Sequence, residues 1–333
     1  DVLRNDVKHI KNTSMTHRFP LKEIAQQAGL GTATVDRVLN NRAHVSAQTR
    51  ARVMAAIAEL TGQEAQLAAR GRRMFFDFVI EAPARFSREV QRAIEGVIPH
   101  IGTAVCRPRF KLMEVMTDAE VAATLARIAK RGSDGVCLKA RDSAPIRAAV
   151  AGLERAGIPV VTLVTDVSAE GRIAYVGVDN RSAGRTAALL IGQRLFGPRL
   201  RRPATVLATR SAATFSGEEA RLQAFQEALA EYAPGVSIVD VPGGGGVHHG
   251  TQRILAQALD CVAGISAVYS MGGGNRAIIE TLAQAGITAC PYIAHDLDRA
   301  NRALISAGQV DFILHHDLHA DMRNVFRAFL QHH

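Results

Sequence analysis

The stretch PLKEIAQQAGLGTATVDRVLNNRAHVSAQTRARVMAAIAEL (20–60) carries the strongest local pattern in the chain. Residues 21–28 put Leu21, Ile24, Ala25 and Ala28 on one helical face, and residues 32–39 resume the period with Val35, Val38 and Leu39. Gly29 falls between them, where a tight turn needs positive φ. Ala25 offers the small side chain required where two helices cross, and Ile24, Leu30, Val35 and Val38 suffice to close a small core. Pro20 precedes the first helix, where its missing N–H costs little. A third helix is predicted over 47–60, with Ser46 as N-cap and Val53, Ile57 and Leu60 inward. Helices of this length and spacing predict a helix-turn-helix.

Charge separates this head from the body. Residues 1–73 hold 12 Lys/Arg against 6 Asp/Glu, whereas the rest of the 333-residue chain holds 28 against 25. A basic head on a nearly neutral body points to a polyanionic partner. At 47% apolar and 21% charged residues the composition is that of a folded protein. No apolar run reaches the length that crosses a bilayer, so no membrane association is expected. Cys106, Cys137, Cys261 and Cys290 stand far apart with no C-x-x-C pair, which argues against a zinc ribbon and fits a reducing cytoplasm. Residues 1–17 lack periodicity and are expected to be a disordered extension.

Residues 20–60 resemble the DNA-binding head of the lactose-repressor family, through A-G-x-x-x-x-T-V-x-R-V-L-N followed by V-S-x-x-T-R-x-R-V. The resemblance implies that the second helix enters the major groove of a double-stranded operator. Thr32, Ala33 and Arg37 would then face base edges, with Arg37 suited to a guanine. Thr34, Asn40, Arg42, Ser46 and Thr49 would hold the phosphate backbone. Two positions depart from the family pattern. Asp36 stands where a serine usually lies near phosphate, and needs Arg37 or Arg42 to neutralise it. In the linker, 61–73, Glu64 and Ala65 replace a Pro-Asn pair, Gly71 occupies the place of the minor-groove leucine, and Leu67 is out of register.

From Met74 onward, β-branched runs alternate with amphipathic helices. Strands are expected at 75–81, 111–116, 135–139, 159–165, 173–178, 204–209, 236–241, 267–271, 292–296 and 312–316. The alternation predicts an α/β body of two doubly wound parallel lobes. Segments VGVDNRSAGRTAALLIG (176–192) and GEEARLQAFQEAL (217–229) are similar to the sugar-receptor-like core of the same repressors, a type I periplasmic-binding-protein fold. That resemblance implies three passages between lobes, placed near Asp179, His295 and Asp317. Lobe 1 is then expected over 74–178 and 297–316, and lobe 2 over 179–294 and 318–333.

Ligands of open α/β sheets lie beyond the carboxyl ends of the strands. Phe86 follows the first strand and suits a sugar face. Lys139, Arg141 and Asp142 follow the third, Asp166 follows the fourth, and Arg210 ends the sixth. Asn275 opens a helix after a glycine run. By resemblance, Arg221 in R-L-Q-A-F and Asp296 in A-H-D-L match ligand-facing positions, and His295 and Asp317 flank the crossings. The expected effector is a sugar, polyol or related metabolite.

Rival chemistries find less support. Gly272-x-Gly274-x-x-Ala277 imitates a dinucleotide fingerprint and makes a nicotinamide-dependent enzyme one alternative, but it lies late in the chain with no further β-α repeats after it. His315 and His316 point to opposite faces of a strand, so no metal is expected. No nucleophile elbow or phosphate-binding loop is present. A non-catalytic solute receptor is the other alternative. The expectation is a cytoplasmic homodimeric repressor without cofactor that reads a pseudo-palindrome and is released by its effector. No leucine heptad stands after the last helix to build a tetramer.

Overall fold

The computed structural model describes residues 19–43, 45–69, 73–102, 104–195, 204–262, 264–288 and 290–333. The expected extension over 1–17 and Gly71 of the linker lie outside the described residues.

The N-terminal unit has helices α1 (Leu21–Ala28), α2 (Thr32–Leu39) and α3 (Ala47–Ala69). Gly29 adopts φ 60° and donates to the carbonyls of Ala25 and Gln26, closing α1. Arg52 of α3 donates to the Ala28 carbonyl at 2.8 Å, pinning the same turn. Ile24, Ala25, Ala28, Val35, Val38, Val53, Ala56 and Leu60 form the core, joined by Phe19. Ser46 caps α3, accepting from the Thr49 amide at 3.1 Å. The third helix does not stop at Leu60, as expected; it runs on to Ala69 as one element. No Gly or Pro that would end it stands between Leu60 and Ala69 except Gly62, and one glycine costs a helix only about 1 kcal/mol.

The body contains β1 (Arg73–Glu81), α4 (Ala84–Val97), β2 (Val105–Met113), α5 (Asp118–Arg131), β3 (Gly135–Lys139), α6 (Ala144–Arg155), β4 (Val160–Leu163), β5 (Arg172–Val176), α7 (Asn180–Leu195), β6 (Ala204–Arg210), α8 (Ser216–Tyr232), β7 (Val236–Pro242), α9 (His248–Leu259), β8 (Ile265–Ser270), α10 (Asn275–Gln284), β9 (Tyr292–His295), α11 (Arg299–Ser306), β10 (Phe312–Leu314) and α12 (Leu318–His332). They make two five-stranded sheets, ordered β2-β1-β3-β4-β5 and β10-β9-β8-β6-β7. The pairs β1/β3, β3/β4, β4/β5, β6/β7, β6/β8, β8/β9 and β9/β10 are parallel. Helices cover both faces: Val121, Leu125, Ile146, Val150 and Leu153 of α5 and α6 pack on one sheet, and Ala187, Ile191, Phe225 and Leu229 of α7 and α8 on the other. Near-continuous apolar strands such as β3 and β4 are what two-sided burial requires.

The last third of the chain departs from the expected partition. Segment 297–316 contains α11 and β10, and β10 pairs with β9 in the second sheet, Ile313 opposite Ala294. The segment after Asp317 forms α12, which packs on the first sheet. Phe329 stacks on Phe76 of β1 at 5.1 Å between ring centres, and Phe326 meets the same ring edge-on at 5.4 Å. A run of phenylalanines on one helix face needs an aromatic surface, and β1 provides it. His295 is therefore no crossing point. Among the described residues the chain passes between lobes at 177–179 and again at 315–317.

Helices α7 and α8 approach closely at Gly184. A Cβ there would lie 2.2 Å from the Arg221 carbonyl oxygen. Gly184→Ala is expected to push the two helices apart at a cost of about 1–3 kcal/mol, read as a lower urea midpoint. An unchanged midpoint would contradict this packing.

Candidate functional site

On the N-terminal unit, α2 buries Val35 and Val38 and turns its other face outward. Thr32, Ala33 and Arg37 are exposed there, and Thr34 is half-buried. Asp36 is not left as a bare carboxylate. Arg42 pairs with it at 3.2 Å, and the Asn40 amide donates to its Oδ1 at 2.7 Å. Asn40 and Arg42 thus brace the end of α2, while Ser46 and Thr49 hydrogen-bond each other at 2.8 Å at the start of α3. The Arg37 carbonyl accepts from the Arg42 amide at 2.9 Å, but among the described residues its guanidinium has no hydrogen-bond or ion-pair partner, so its full set of side-chain donors is available.

In the body, the carboxyl ends of both sheets face a cleft of about 260 Å³. One wall carries Glu81, Phe86, Glu114, Lys139 and Arg141; the opposite wall carries Phe215, Glu218, Arg221 and Asp296. The Lys139 ammonium lies 4.3 Å from the Phe215 ring centre and 5.9 Å from that of Phe86, and donates to the Glu81 carbonyl at 3.0 Å. Burial holds its pKa below that of an ordinary lysine, against the pull of Glu218, Glu81 and Asp296. Arg141 pairs with Glu81 and donates to the Met116 carbonyl at 2.7 Å. Arg221 donates to Asn180 Oδ1 at 2.7 Å and to the Met271 carbonyl at 3.1 Å, which ties α8 to α7 and to the end of β8. Aromatic faces, fixed donors and fixed carboxylates at one cavity are what a small polar ligand needs for both contact and orientation.

Asp296 is aimed by its backbone. It adopts φ 67°, a conformation aspartate tolerates better than most residues. Its amide donates to the Leu314 carbonyl at 3.1 Å, and its carbonyl accepts from Asn301 at 2.7 Å. The kink leaves the β9 ladder and turns the carboxylate into the cleft. His316, on the second crossing, lies between Asp296, at 3.4 Å from Nε2, and Asp321 of α12 at Nδ1. Burial disfavours the imidazolium, but its hydrogen bonds and charge contacts with the two carboxylates prevail and raise its pKa to about 9. Burial alone would likewise raise the Asp296 carboxyl; hydrogen bonding and charge from His316, with Arg221 and His295 behind it, hold it well below the usual carboxylate range. One more strained residue borders the cleft: Val164 adopts φ 64°, and its carbonyl accepts from the Tyr175 hydroxyl at 3.1 Å.

The remaining expected effector residues lie elsewhere, each with a partner that explains its place. Asp166 accepts from Thr162 at 2.6 Å and pairs with Arg172 at 2.8 Å. Arg210 is enclosed by Asp240 and Glu219, joining β6, β7 and α8. Asn275 binds Asn301 at 2.9 Å and Tyr292 at 3.0 Å, and so braces the Asp296 kink from behind. His295 is buried, hydrogen-bonded to Tyr269 at 2.9 Å, and kept neutral by burial. Asp317 caps α12, accepting from the amides of His319 and Ala320. Phe86, Arg141, Arg221 and Asp296 do line the cleft. Phe215, Glu218 and Arg85 also line it and were not expected; Phe215 and Glu218 flank the start of α8, a position readable only once α8 is known to begin at Ser216.

The fold and cleft define a protein with a helix-turn-helix head and a two-lobed ligand-binding body. Residues 115–330 match the periplasmic binding protein domain, and residues 20–61 match the bacterial regulatory proteins of the lacI family. The chain belongs to the periplasmic binding protein domain family and carries a lacI-family head. No curated protein matches the sequence. Several solved structures share the fold. A glucose-galactose binding protein, GanP, from Geobacillus stearothermophilus is 18% identical with a TM-score of 0.66, covering 78% of this chain and 91% of its own. An ABC transporter solute binding protein from Burkholderia graminis, in complex with D-arabinose, is 16% identical with a TM-score of 0.68, covering 79% and 89%. A Bacteroides fragilis protein described as a candidate LacI transcriptional regulator is 15% identical with a TM-score of 0.66, covering 78% and 91%. Among the described residues no helix is long and apolar enough to cross a membrane, and no cluster of metal-ligating side chains occurs.

The ion-pair chain gives a pH signature. His316 has its pKa raised in the folded state, so its stabilisation is full below the unfolded value near 6.5 and is lost as pH rises through about 9. His316→Gln should therefore cost about 3 kcal/mol near pH 6, the lower end for breaking a buried pair because Asp296 keeps a third of its surface in water. By about pH 10 the gap to wild type should close. A gap that stays constant across paired thermal melts would contradict the charged triad.

Proposed function

We propose that this chain is a DNA-binding repressor whose operator affinity is set by a small sugar, polyol or related metabolite held in the interlobe cleft. One observation carries the reading: a lacI-family head with its recognition face exposed and Arg37 unpaired is joined in one chain to a periplasmic-binding-protein body. The chain acts by binding, in the cytoplasm, with no chemical step and no cofactor. Thr32, Ala33 and Arg37 read base edges, and Thr34, Asn40, Arg42, Ser46 and Thr49 hold phosphates. Two chains form a homodimer that reads a pseudo-palindrome with half-sites about one helical turn apart. The ligand relieves repression through a coupling of about 1–3 kcal/mol between cleft and head.

Within the cleft, Phe86 and Phe215 cover the apolar face of a sugar ring. Asp296 and Glu218 accept from hydroxyls, and Lys139, Arg141 and Arg221 donate to hydroxyls or ring oxygen. Arg210, Asp166, Asn275, His295 and Asp317 shape the walls and the crossings. The names of the solved neighbours support this class of ligand: glucose and galactose for one, D-arabinose for another.

Arg37→Ala should lose about 1–3 kcal/mol of specific duplex affinity, measured by fluorescence anisotropy, and relax discrimination at one base pair. Unchanged affinity would remove α2 from the major groove. A thermal-shift screen of sugars, polyols and their phosphates should find a compound that stabilises the fold by about 2.7 kcal/mol at a hundred times its Kd. The shift should vanish in Asp296→Ala. Retention of the shift in that variant would take the carboxylate out of the binding site.

A further inference from the structure

We propose that Arg85 is a latch that holds the two lobes closed over the cleft, and that Gly273 leaves open the seat it occupies. Arg85 lies in the first turn of α4, on the first lobe. Its guanidinium crosses the mouth of the cleft and grips the second lobe at two places. One terminal N–H donates to the Gly246 carbonyl at 2.7 Å, and Nε pairs with Asp298 at 3.0 Å. Asp298 is itself fixed, because its Oδ1 caps α11 by accepting the Asn301 amide at 2.8 Å. The grip therefore ends on two anchored acceptors, one on each side of a planar fork.

Gly273 makes room for this crossing. A Cβ there would fall 1.7 Å from one Arg85 nitrogen, and the φ of 83° strains any other residue at that position as well. The run that imitates a dinucleotide fingerprint thereby acquires a physical role. Arg85 borders the cleft on one side and, on the other, an outer chamber of about 300 Å³ lined by Arg88, His248 and Arg276. A ligand entering the cleft from that chamber has to pass the guanidinium. The latch itself is independent of what the cleft binds.

The bidentate geometry is specific to arginine. Lysine keeps the charge but has a single nitrogen, which cannot serve the Gly246 carbonyl and Asp298 from opposite edges. The contacts are polar and cross the mouth of the cleft, so their loss frees lobe motion without removing an apolar side chain from either core.

The experiment measures the lobe-to-lobe distance in the full chain with no ligand added. The exposed Cys261 and the half-buried Cys290 are replaced by serine, and spin labels are placed at Glu95→Cys on α4 and Arg276→Cys on α10. Labelled chain is diluted with unlabelled chain so that only distances within one chain are read by double electron–electron resonance. The unmutated latch should give a single short distance. Arg85→Gln should move the population to a longer distance, and Arg85→Lys should do so in part. Gly273→Ala, which leaves Arg85 in place and obstructs its seat, should reproduce the Arg85→Gln distribution. Thermal melts of each variant confirm a folded body. Distributions that superimpose on that of the unmutated latch in Arg85→Gln and Gly273→Ala overturn the proposal and leave the regulator reading intact.

Discussion

The body depends on a carboxylate held ionised at the meeting point of two lobes. An anion partly withdrawn from water is costly unless charge and hydrogen bonds surround it. Asp296 meets that requirement by an unusual backbone turn and by His316, which Asp296 and, on its far side, Asp321 together hold charged. The three residues come from different parts of the structure. Asp296 ends β9 in the second sheet, His316 lies on the crossing, and Asp321 belongs to the helix that packs on the first sheet. On the proposed reading, a ligand hydroxyl donating to Asp296 would engage an ion-pair chain that spans both lobes and the segment joining them.

On the proposed reading, that arrangement lets the cleft serve both as a recognition site and as a mechanical element. Phe86 and Phe215 line the cleft from opposite lobes, and both rings lie near the Lys139 ammonium. At the hinge side, Ser216 donates to the Asp166 carbonyl at 2.7 Å, and the Gly217 amide donates to Thr165 at 3.2 Å. The first turn of α8 thus sits on the loop after β4, close to Arg221. Close packing of α7 on α8 through Gly184 keeps Arg221 in place. On the proposed reading, a shift at the cleft would pass to these packed helices, which move as rigid pieces and not by gradual bending.

Much of this was legible in the amino-acid order. The head followed from helical period, Gly29 and Ser46, because short-range constraints decide a helix-turn-helix. Nine of the ten strands are expected close to where strands occur, since two-sided burial writes itself as apolar runs; the exception is β2, expected at 111–116, which runs over Val105–Met113 as an edge strand carrying Arg107, Pro108 and Arg109 and so lacks such a run. The swap of β10 and α12 between lobes was not legible. It depends on Phe326 and Phe329 finding Phe76, a pairing across some 250 positions that no local pattern encodes. For the same reason Arg210, Asp166 and Asp317 read as loop charges facing a ligand, while their partners Asp240, Arg172 and the α12 amides were out of sight. Asp296 was recognised by resemblance; the role of His316 beside it needed Asp321 in three dimensions.

The central claim is that α2 reads sequence for a protein whose body senses a metabolite. The most direct test is in vitro selection of the full chain against a pool of random duplexes at physiological salt. The account predicts enrichment of an inverted repeat bound at least about 10³-fold more tightly than unselected DNA. A pool that shows no sequence enrichment after repeated rounds, with every duplex bound equally, would contradict it.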